Sequence, residues 1–175
     1  ILQNIKIPVQ LGGGIRSIDT IQYWINKGVS RVILGTAAID DIRLLDHATK
    51  KFPNKIAVGI DAKNGFVATN GWAQTTSVKA LELAKTLEAY EISCIVYTDI
   101  DRDGAMTGPN ITQTEILANS VDIPVIASGG ISSLEDIKSL TQSNAKLNGV
   151  ISGRALYDKI FTVHDAINLL RRKKC

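Results

Sequence analysis

The sequence has few of the features that mark disulfide-stabilised or membrane-embedded chains. Its 175 residues include two cysteines and 5% aromatic residues, and no apolar run approaches the roughly 20 residues of a membrane span. Two cysteines, Cys94 and Cys175, do not make a disulfide framework, so we predict a reducing, cytoplasmic location and no membrane partner. The opening residues ILQNIKIPVQ predict no signal peptide, and the absence of Met at residue 1 leaves the natural start open.

The composition is that of one folded domain with a sizeable core. Hydrophobic residues make up 45% of the chain and charged residues 21%, which excludes a disordered segment. The net charge of +3 comes from the terminal run Arg171, Arg172, Lys173 and Lys174, because subtracting these four charges leaves −1. The rest of the chain has no cluster of basic residues and few aromatic residues. We therefore predict no nucleic-acid partner.

Short apolar strands alternate with helical patterns along the whole chain. Strands that are apolar throughout and separated by helices are typical of parallel βαβ units, and six such units are predicted. A polar stretch at 62–76 with Asn-Gly turns is expected to be a loop. The predicted strands are 7–11, 31–35, 55–61, 93–99, 123–127 and 149–152, and the predicted helices 17–28, 40–51, 77–90, 112–120, 133–143 and 162–172.

The sequence contains an internal repeat. IPVQLGGGIRSIDTI begins at Ile7 and IPVIASGGISSLEDI begins at Ile123, an offset of 116, and VILGTA at Val32 matches VISGRA at Val150. We interpret these as two phosphate-binding repeats, 7–38 and 123–158, in one domain. If the offset is half of the fold, a complete fold has eight units in about 235 residues, which predicts a (β/α)8 TIM barrel of which the third to eighth units are present.

Glycine pairs follow the strands of both repeats. In a (β/α)8 barrel the site lies at the carboxyl ends of the strands, where bare backbone N–H groups and helix N-termini bind anions. A lone Gly-Gly pair favours a simple tight turn, whereas the repeated pairing favours two phosphate sites and a ligand with a phosphate at each end. The predicted binding residues are Gly13, Gly14, Arg16, Gly35, Thr36, Ser128, Gly129, Gly130, Gly153 and Arg154.

Two carboxylates end apolar strands. Asp61 ends IAVGID and Asp99 ends IVYTD, and a carboxylate held on a rigid strand suits general acid–base catalysis. The alternative is a structural carboxylate that caps a loop or pairs with Lys63 or Arg102. Thr98 is a candidate hydroxyl donor to a substrate, or a strand-end residue with no such role.

Other residues bear on cofactors and on the loops. Trp72 follows Gly71 in the polar stretch, where an exposed indole favours a flat ligand, with loop burial as the alternative. His47 and His164 lie in predicted helices without metal-ligand partners, and we predict no metal site. The absence of a Gly-x-Gly-x-x-Gly motif argues against a dinucleotide, so no cofactor is predicted.

Six motifs resemble one family. They are QLGGGIRS (10–17), VILGTAA (32–38), VGIDAKNGFVATNGW (58–72), YTDIDRDGAMTGPN (97–110), ASGGISS (127–133) and GVISGRALYD (149–158). Together they resemble the histidine-biosynthesis isomerases that act on phosphoribosylformimino-5-aminoimidazole carboxamide ribotide (ProFAR). The alternative is the sister cyclase of the imidazole glycerol phosphate synthase type. It resembles this sequence in the first phosphate loops and in the IDRDG loop.

The resemblance implies an Amadori rearrangement of an aminoaldose to an aminoketose, without metal or organic cofactor. The implied partner is a small, bisphosphorylated, ribonucleotide-like substrate, and the implied assembly is a monomer when complete. By motif, Asp61 corresponds to the proton donor, Thr98 and Asp99 to supporting polar groups near the reacting ribose, and Trp72 to the mobile loop that covers the substrate.

The resemblance also places the proton acceptor on an Asp at the end of the first strand, in the stretch expected to be absent. Residues 1–175 alone are therefore expected to be inactive or nearly so, because loss of one member of an acid–base pair costs about 10²–10⁴-fold in rate. Turnover of ProFAR by this polypeptide at the rate of a complete barrel would contradict that. The open alternatives are the cyclase, a dual isomerase that also uses phosphoribosylanthranilate, and a non-catalytic binder of bisphosphates.

Overall fold

The computed structural model describes residues 1–171, so the basic residues 172–174 and Cys175 lie outside the described part. It contains a curved sheet with six parallel strands and helices between them, which confirms the predicted partial (β/α)8 fold. The strands are β1 (Gln10–Gly12), β2 (Arg31–Leu34), β3 (Ile56–Lys63), β4 (Phe66–Thr69), β5 (Gln74–Lys79), β6 (Cys94–Asp99), β7 (Val125–Ser128) and β8 (Leu147–Val150). The helices are α1 (Ile18–Asn26), α2 (Thr36–Asp40), α3 (Ile42–Lys51), α4 (Ala80–Leu87), α5 (Ile111–Ala118), α6 (Leu134–Gln142), α7 (Arg154–Tyr157) and α8 (Val163–Arg171).

The parallel strands follow the order β1-β2-β3-β6-β7-β8, and β4 and β5 form an antiparallel hairpin that extends from the end of β3. The predicted loop at 62–76 is therefore wrong, because this stretch contributes to three strands. Asn64 and Gly65 make the turn between β3 and β4 with φ of 51° and 80°, a conformation that Asn and Gly tolerate. Since nearly every residue of β5 is exposed, no apolar alternation marks it in the sequence.

The two faces of the sheet bury different side chains. On the outer face, Ile56, Val58, Ile60, Ile95 and Tyr97 pack in the main core, to which the helices also contribute. On the inner face, a small cluster groups Ala57, Cys94, Val96 and Ile126, with Ile33 against it. Because side chains alternate along a strand, the inner face of β3 continues from Ala57 through Gly59 to Asp61, and that of β6 from Val96 to Thr98.

The internal repeat is also a repeat of backbone geometry. Ser17 is the N-cap of α1 and Ser133 the N-cap of α6, 116 positions apart, and each hydroxyl accepts a hydrogen bond from the backbone N–H of the third residue of its helix. Such N-caps stabilise a helix by about 1 kcal/mol. The short helices α2 and α7 begin after Gly35 and Gly153, whose φ,ψ values of −99°,−118° and −111°,−92° are similar. The two repeats therefore place equivalent loops at the carboxyl ends of β1, β2, β7 and β8.

The helices differ in how firmly they pack. Four residues of α4 are buried, whereas none of α8 is.

Within the described residues, no helix combines the length and hydropathy that crossing a bilayer requires.

Tyr97 on β6 makes the stability of the fold sensitive to alkali. Burial, with a smaller contribution from Asp99, raises the pKa of Tyr97 to about 12. The folded state therefore keeps a proton that the unfolded chain loses near pH 10, and the stabilisation is complete below pH 10 and lost as the pH rises toward 12. We expect the loss to reach about 2 kcal/mol of unfolding free energy. Urea denaturation of the wild type and of Tyr97→Phe between pH 9 and 12 measures this loss. The same dependence of the unfolding free energy on pH in the two proteins would contradict the prediction.

Candidate active site

A cavity of about 600 Å³ opens at the carboxyl ends of the first strands. It brings together residues from both classes predicted above, the phosphate-binding loops and the strand-end polar residues. Its lining includes Gly13, Gly14, Arg16, Gly35, Thr36, Asp61 and Thr98. Asp61 and Thr98 are register partners in the adjacent strands β3 and β6, so their side chains lie side by side at the floor of the cavity.

The two loops predicted above to bind phosphate are called the first and the second phosphate loop. The first, defined as residues 12–14 with 35–36, forms one wall of this cavity. Gly13 and Gly14 have φ of 96° and 68°, and a Cβ at either position would meet no atom within 4 Å. These glycines are required by the backbone conformation rather than by crowding, and they leave open space above bare amide groups. Gly35 offers no side chain to cap α2. The Ala38 amide donates to the Gly35 carbonyl at 2.9 Å, which leaves the Thr36 and Ala37 amides of the first turn for an anion.

The second phosphate loop, residues 128–130 with 153–154, lines a separate and smaller cavity of about 70 Å³. Gly129 and Gly130 repeat the positive φ values, at 89° and 85°. Here the loop after β6 lies close above: the Arg154 guanidinium donates to the carbonyl of Gly104 at 2.8 Å and pairs with Asp158 at 3.2 Å. The structure thus brings the residues of each loop together but keeps the two loops in different cavities.

The strand order places the acid–base candidates between the phosphate loops. The first loop belongs to β1 and β2, the second to β7 and β8, and β3 and β6 lie between them. A ligand that held one phosphate in each loop would therefore carry its central atoms over Asp61 and Thr98.

The tip of the β4–β5 hairpin docks into the first cavity. The Trp72 indole N–H donates to Oδ2 of Asp61 at 2.8 Å, and the Asn70 backbone N–H donates to Oγ1 of Thr36 at 3.1 Å. Asn70, Gly71 and Trp72 have φ of 54°, 64° and 72°, and a left-handed conformation costs a bulky residue about 1–2 kcal/mol. Trp72 remains 44% exposed, so a strained and partly exposed tip occupies hydrogen-bonding groups on the cavity floor and on the first phosphate loop.

Asp99 lies on the opposite face of β6 from Thr98 and lines neither cavity. It is 7% exposed, and its carboxylate accepts from the Asp101 backbone N–H at 3.1 Å and from Nδ2 of Asn110 at 2.7 Å. Neither Lys63 nor Arg102 pairs with it: Lys63 pairs with Asp101 at 3.2 Å. Asp99 therefore holds both ends of the loop between β6 and α5.

Sequence reasoning missed Asn70 and Asn110. Each is a short polar residue in a turn or loop, and such residues are so common there that their identity alone carries little signal. Within residues 1–171, His47 and His164 are exposed, and no group of three His, Cys, Asp or Glu side chains converges as metal ligands would.

The profile of the histidine biosynthesis protein family matches residues 1–162. The chain belongs to this family. In this member of the family, two glycine loops thus lie on either side of a carboxylate and a threonine at the strand ends.

Curated relatives within the family are similar over almost the whole chain. A protein of Ruegeria sp. (strain TM1040) is 56% identical over 171 residues, which cover 98% of this chain and 71% of the relative. A protein of Ruegeria pomeroyi is 55% identical and one of Paramagnetospirillum magneticum 52% identical, with the same two coverages. Each is named a 1-(5-phosphoribosyl)-5-((5-phosphoribosylamino)methylideneamino) imidazole-4-carboxamide isomerase, a name that the cyclase and the non-catalytic alternatives do not share.

Proposed function

We propose that the protein isomerises ProFAR, the bis-phosphoribosyl imidazole carboxamide in the names of its relatives. The observation that carries this proposal is the placement of Asp61 and Thr98 on adjacent strands between two phosphate loops. The substrate has a phosphate on each of its two riboses, and the order β1-β2-β3-β6-β7-β8 offers one loop to each end.

In this proposal Asp61 protonates the ring oxygen of the aminoaldose ribose. The bond from C1 to the ring oxygen then breaks, and the amine nitrogen supplies the electron pair for a C1–N double bond. A base, which is not assigned among residues 1–175, removes the proton on C2 and gives an enolamine. This enolamine takes a proton at C1 and loses the proton of its C2 hydroxyl, which gives the 2-keto form. The protons gained at the ring oxygen and at C1 equal those lost from C2 and its hydroxyl, so that no atom is gained or lost overall. Thr98, beside Asp61 in register, donates its hydroxyl hydrogen bond to the ribose.

Asp99 supports this chemistry from the other face of the sheet. Its carboxylate fixes the loop between β6 and α5, and that loop contacts Arg154 of the second phosphate loop. The supporting role that we propose for Asp99 is therefore positional, whereas Asp61 and Thr98 act on the substrate.

The test is conversion of ProFAR by the natural gene product, followed by the carbon NMR signal of C2. We expect this signal to move from that of a hydroxyl-bearing carbon to that of a ketone. Phosphate binding without conversion of ProFAR would favour the non-catalytic binder instead.

We also propose that the protein is a cytoplasmic monomer without a nucleic-acid partner. Light scattering tests the monomer, and nucleic-acid binding assays over a range of salt concentrations test the absence of that partner.

Substrate binding should move Trp72. The indole and the Asn70 amide occupy groups on Asp61 and Thr36 that the substrate needs, so binding requires them to leave. Trp24 and Trp72 are the only tryptophans of the chain, and the variants Trp24→Phe and Trp72→Phe each report on one of them. We expect a saturable change of Trp72 emission on titration with ProFAR in Trp24→Phe and none in Trp72→Phe. Binding by calorimetry without any change of Trp72 emission would contradict displacement of the tip.

A further inference from the structure

A third cavity, of about 210 Å³, lies on the outer side of the sheet at the base of the β4–β5 hairpin. The hairpin's first and last residues, Phe66 and Lys79, line it and are register partners. Residues at the start of α4 and within α5 complete the walls. The cavity shares no lining residue with the two cavities that contain the phosphate loops, so it is distinct from the proposed active site.

Tyr97 gives this cavity a polar group in a mostly apolar setting. Its side chain is 2% exposed and lines the cavity, yet within residues 1–171 its hydroxyl forms no hydrogen bond with another protein group. The hydroxyl oxygen itself is not fully buried, so it is reachable from the cavity, and a polar atom in so apolar a setting gains from a hydrogen-bond partner there. The raised pKa of Tyr97 keeps the proton on this hydroxyl throughout the physiological range, so it is available as a donor.

The remaining lining defines which ligand would fit. Phe66, Ile116 and Leu117 supply apolar surface, and Lys79 supplies the single charge among the lining residues. Lys79 is exposed and lies 4.0 Å from Glu82, a surface pair too weak to neutralise it. A volume of about 210 Å³ is below the range of drug-sized pockets and suits a single substituted ring.

We propose that this cavity is a binding site for a small aromatic carboxylate. The ring lies against Phe66 and Leu117, and the carboxylate accepts hydrogen bonds from the Tyr97 hydroxyl and the Lys79 ammonium group. This proposal is independent of the isomerase activity, because it rests on residues outside the active-site cavities.

Calorimetric titration of the full chain with benzoate tests the proposal. We expect saturable binding with Kd on the order of 1 mM, as befits a ligand of one ring. Tyr97→Phe and Lys79→Met should each weaken binding about fivefold or more, since each removes one hydrogen bond to a charged group. Lys85→Met, which removes an exposed lysine of α4 outside the cavity, should leave Kd unchanged.

Three outcomes would overturn the proposal. The first is no saturable benzoate binding by the folded wild-type chain. The second is binding that Tyr97→Phe and Lys79→Met leave unchanged while circular dichroism shows both variants folded. The third is full displacement of benzoate by inorganic phosphate, which would place benzoate in a phosphate loop. Weaker binding of acetate and of benzamide than of benzoate would support the requirement for both the ring and the charge.

Discussion

Replacing Asp61 by Asn is expected to lower ProFAR turnover by about 10²–10⁴-fold, the range for loss of a general acid. Asn keeps the shape of the side chain and an oxygen that can accept from Trp72, so the hairpin tip should stay docked. It cannot deliver a proton to the ribose ring oxygen. Steady-state kinetics of the natural gene product should show the loss in kcat, with KM changed much less, because the phosphate loops are untouched.

Asp99→Asn is the matched control for this prediction. It makes the same chemical change on the next parallel strand, but on the opposite face, where both carboxylate oxygens accept hydrogen bonds. We expect it to lower the unfolding free energy by about 1–3 kcal/mol and to change kcat by less than about tenfold. A loss of kcat in Asp99→Asn as large as in Asp61→Asn, in a protein of unchanged stability, would transfer the acid role to Asp99.

Gly130→Ala should be among the most destabilising single substitutions in the chain. Gly130 has φ of +85°, and an added Cβ would overlap the carbonyl oxygen of Gly108 and lie 2.9 Å from Cβ of Arg102. Both neighbours belong to the loop after β6, so the substitution either unfolds the region or pushes this loop away from the second phosphate loop. We expect a loss of more than about 3 kcal/mol of unfolding free energy, at the upper end for point substitutions, measured by urea denaturation.

The internal repeat supplies the control. Gly14 is the equivalent of Gly130 at the offset of 116, with φ of +68°, but a Cβ there would meet nothing within 4 Å. Gly14→Ala should therefore cost only the backbone term of about 1–2 kcal/mol. Equal losses in the two variants would show that the loop moves aside freely and that crowding at Gly130 does not limit stability.

Much of the fold and part of the site could be predicted from the sequence. Apolar strands between amphipathic helices indicate parallel units without knowledge of packing, and the offset of 116 identifies the two phosphate loops. The helices α2 and α7, with five and four residues, are too short to show helical periodicity. The hairpin strand β5 is exposed on nearly every residue and so has no apolar pattern.

The difference between Asp61 and Asp99 could not be predicted, for a physical reason. Both strands are buried on both faces, so their apolar residues do not show which face is inner. Only the packed structure shows that Asp61 and Thr98 lie on the inner face and Asp99 on the outer one. The contact between Trp72 and Asp61 also depends on three consecutive residues with positive φ, which sequence patterns do not specify.

The strand order has a consequence for how the site opens. Strands β3 and β6 have parallel neighbours on both sides and are buried at most of their residues. Local opening begins where backbone hydrogen bonds are exposed and buried contacts are few. The backbone amides of β3 and β6 are therefore expected to exchange slowly with solvent. The residues proposed to act on the substrate, Asp61 and Thr98, thus lie at the ends of the strands that are expected to open last.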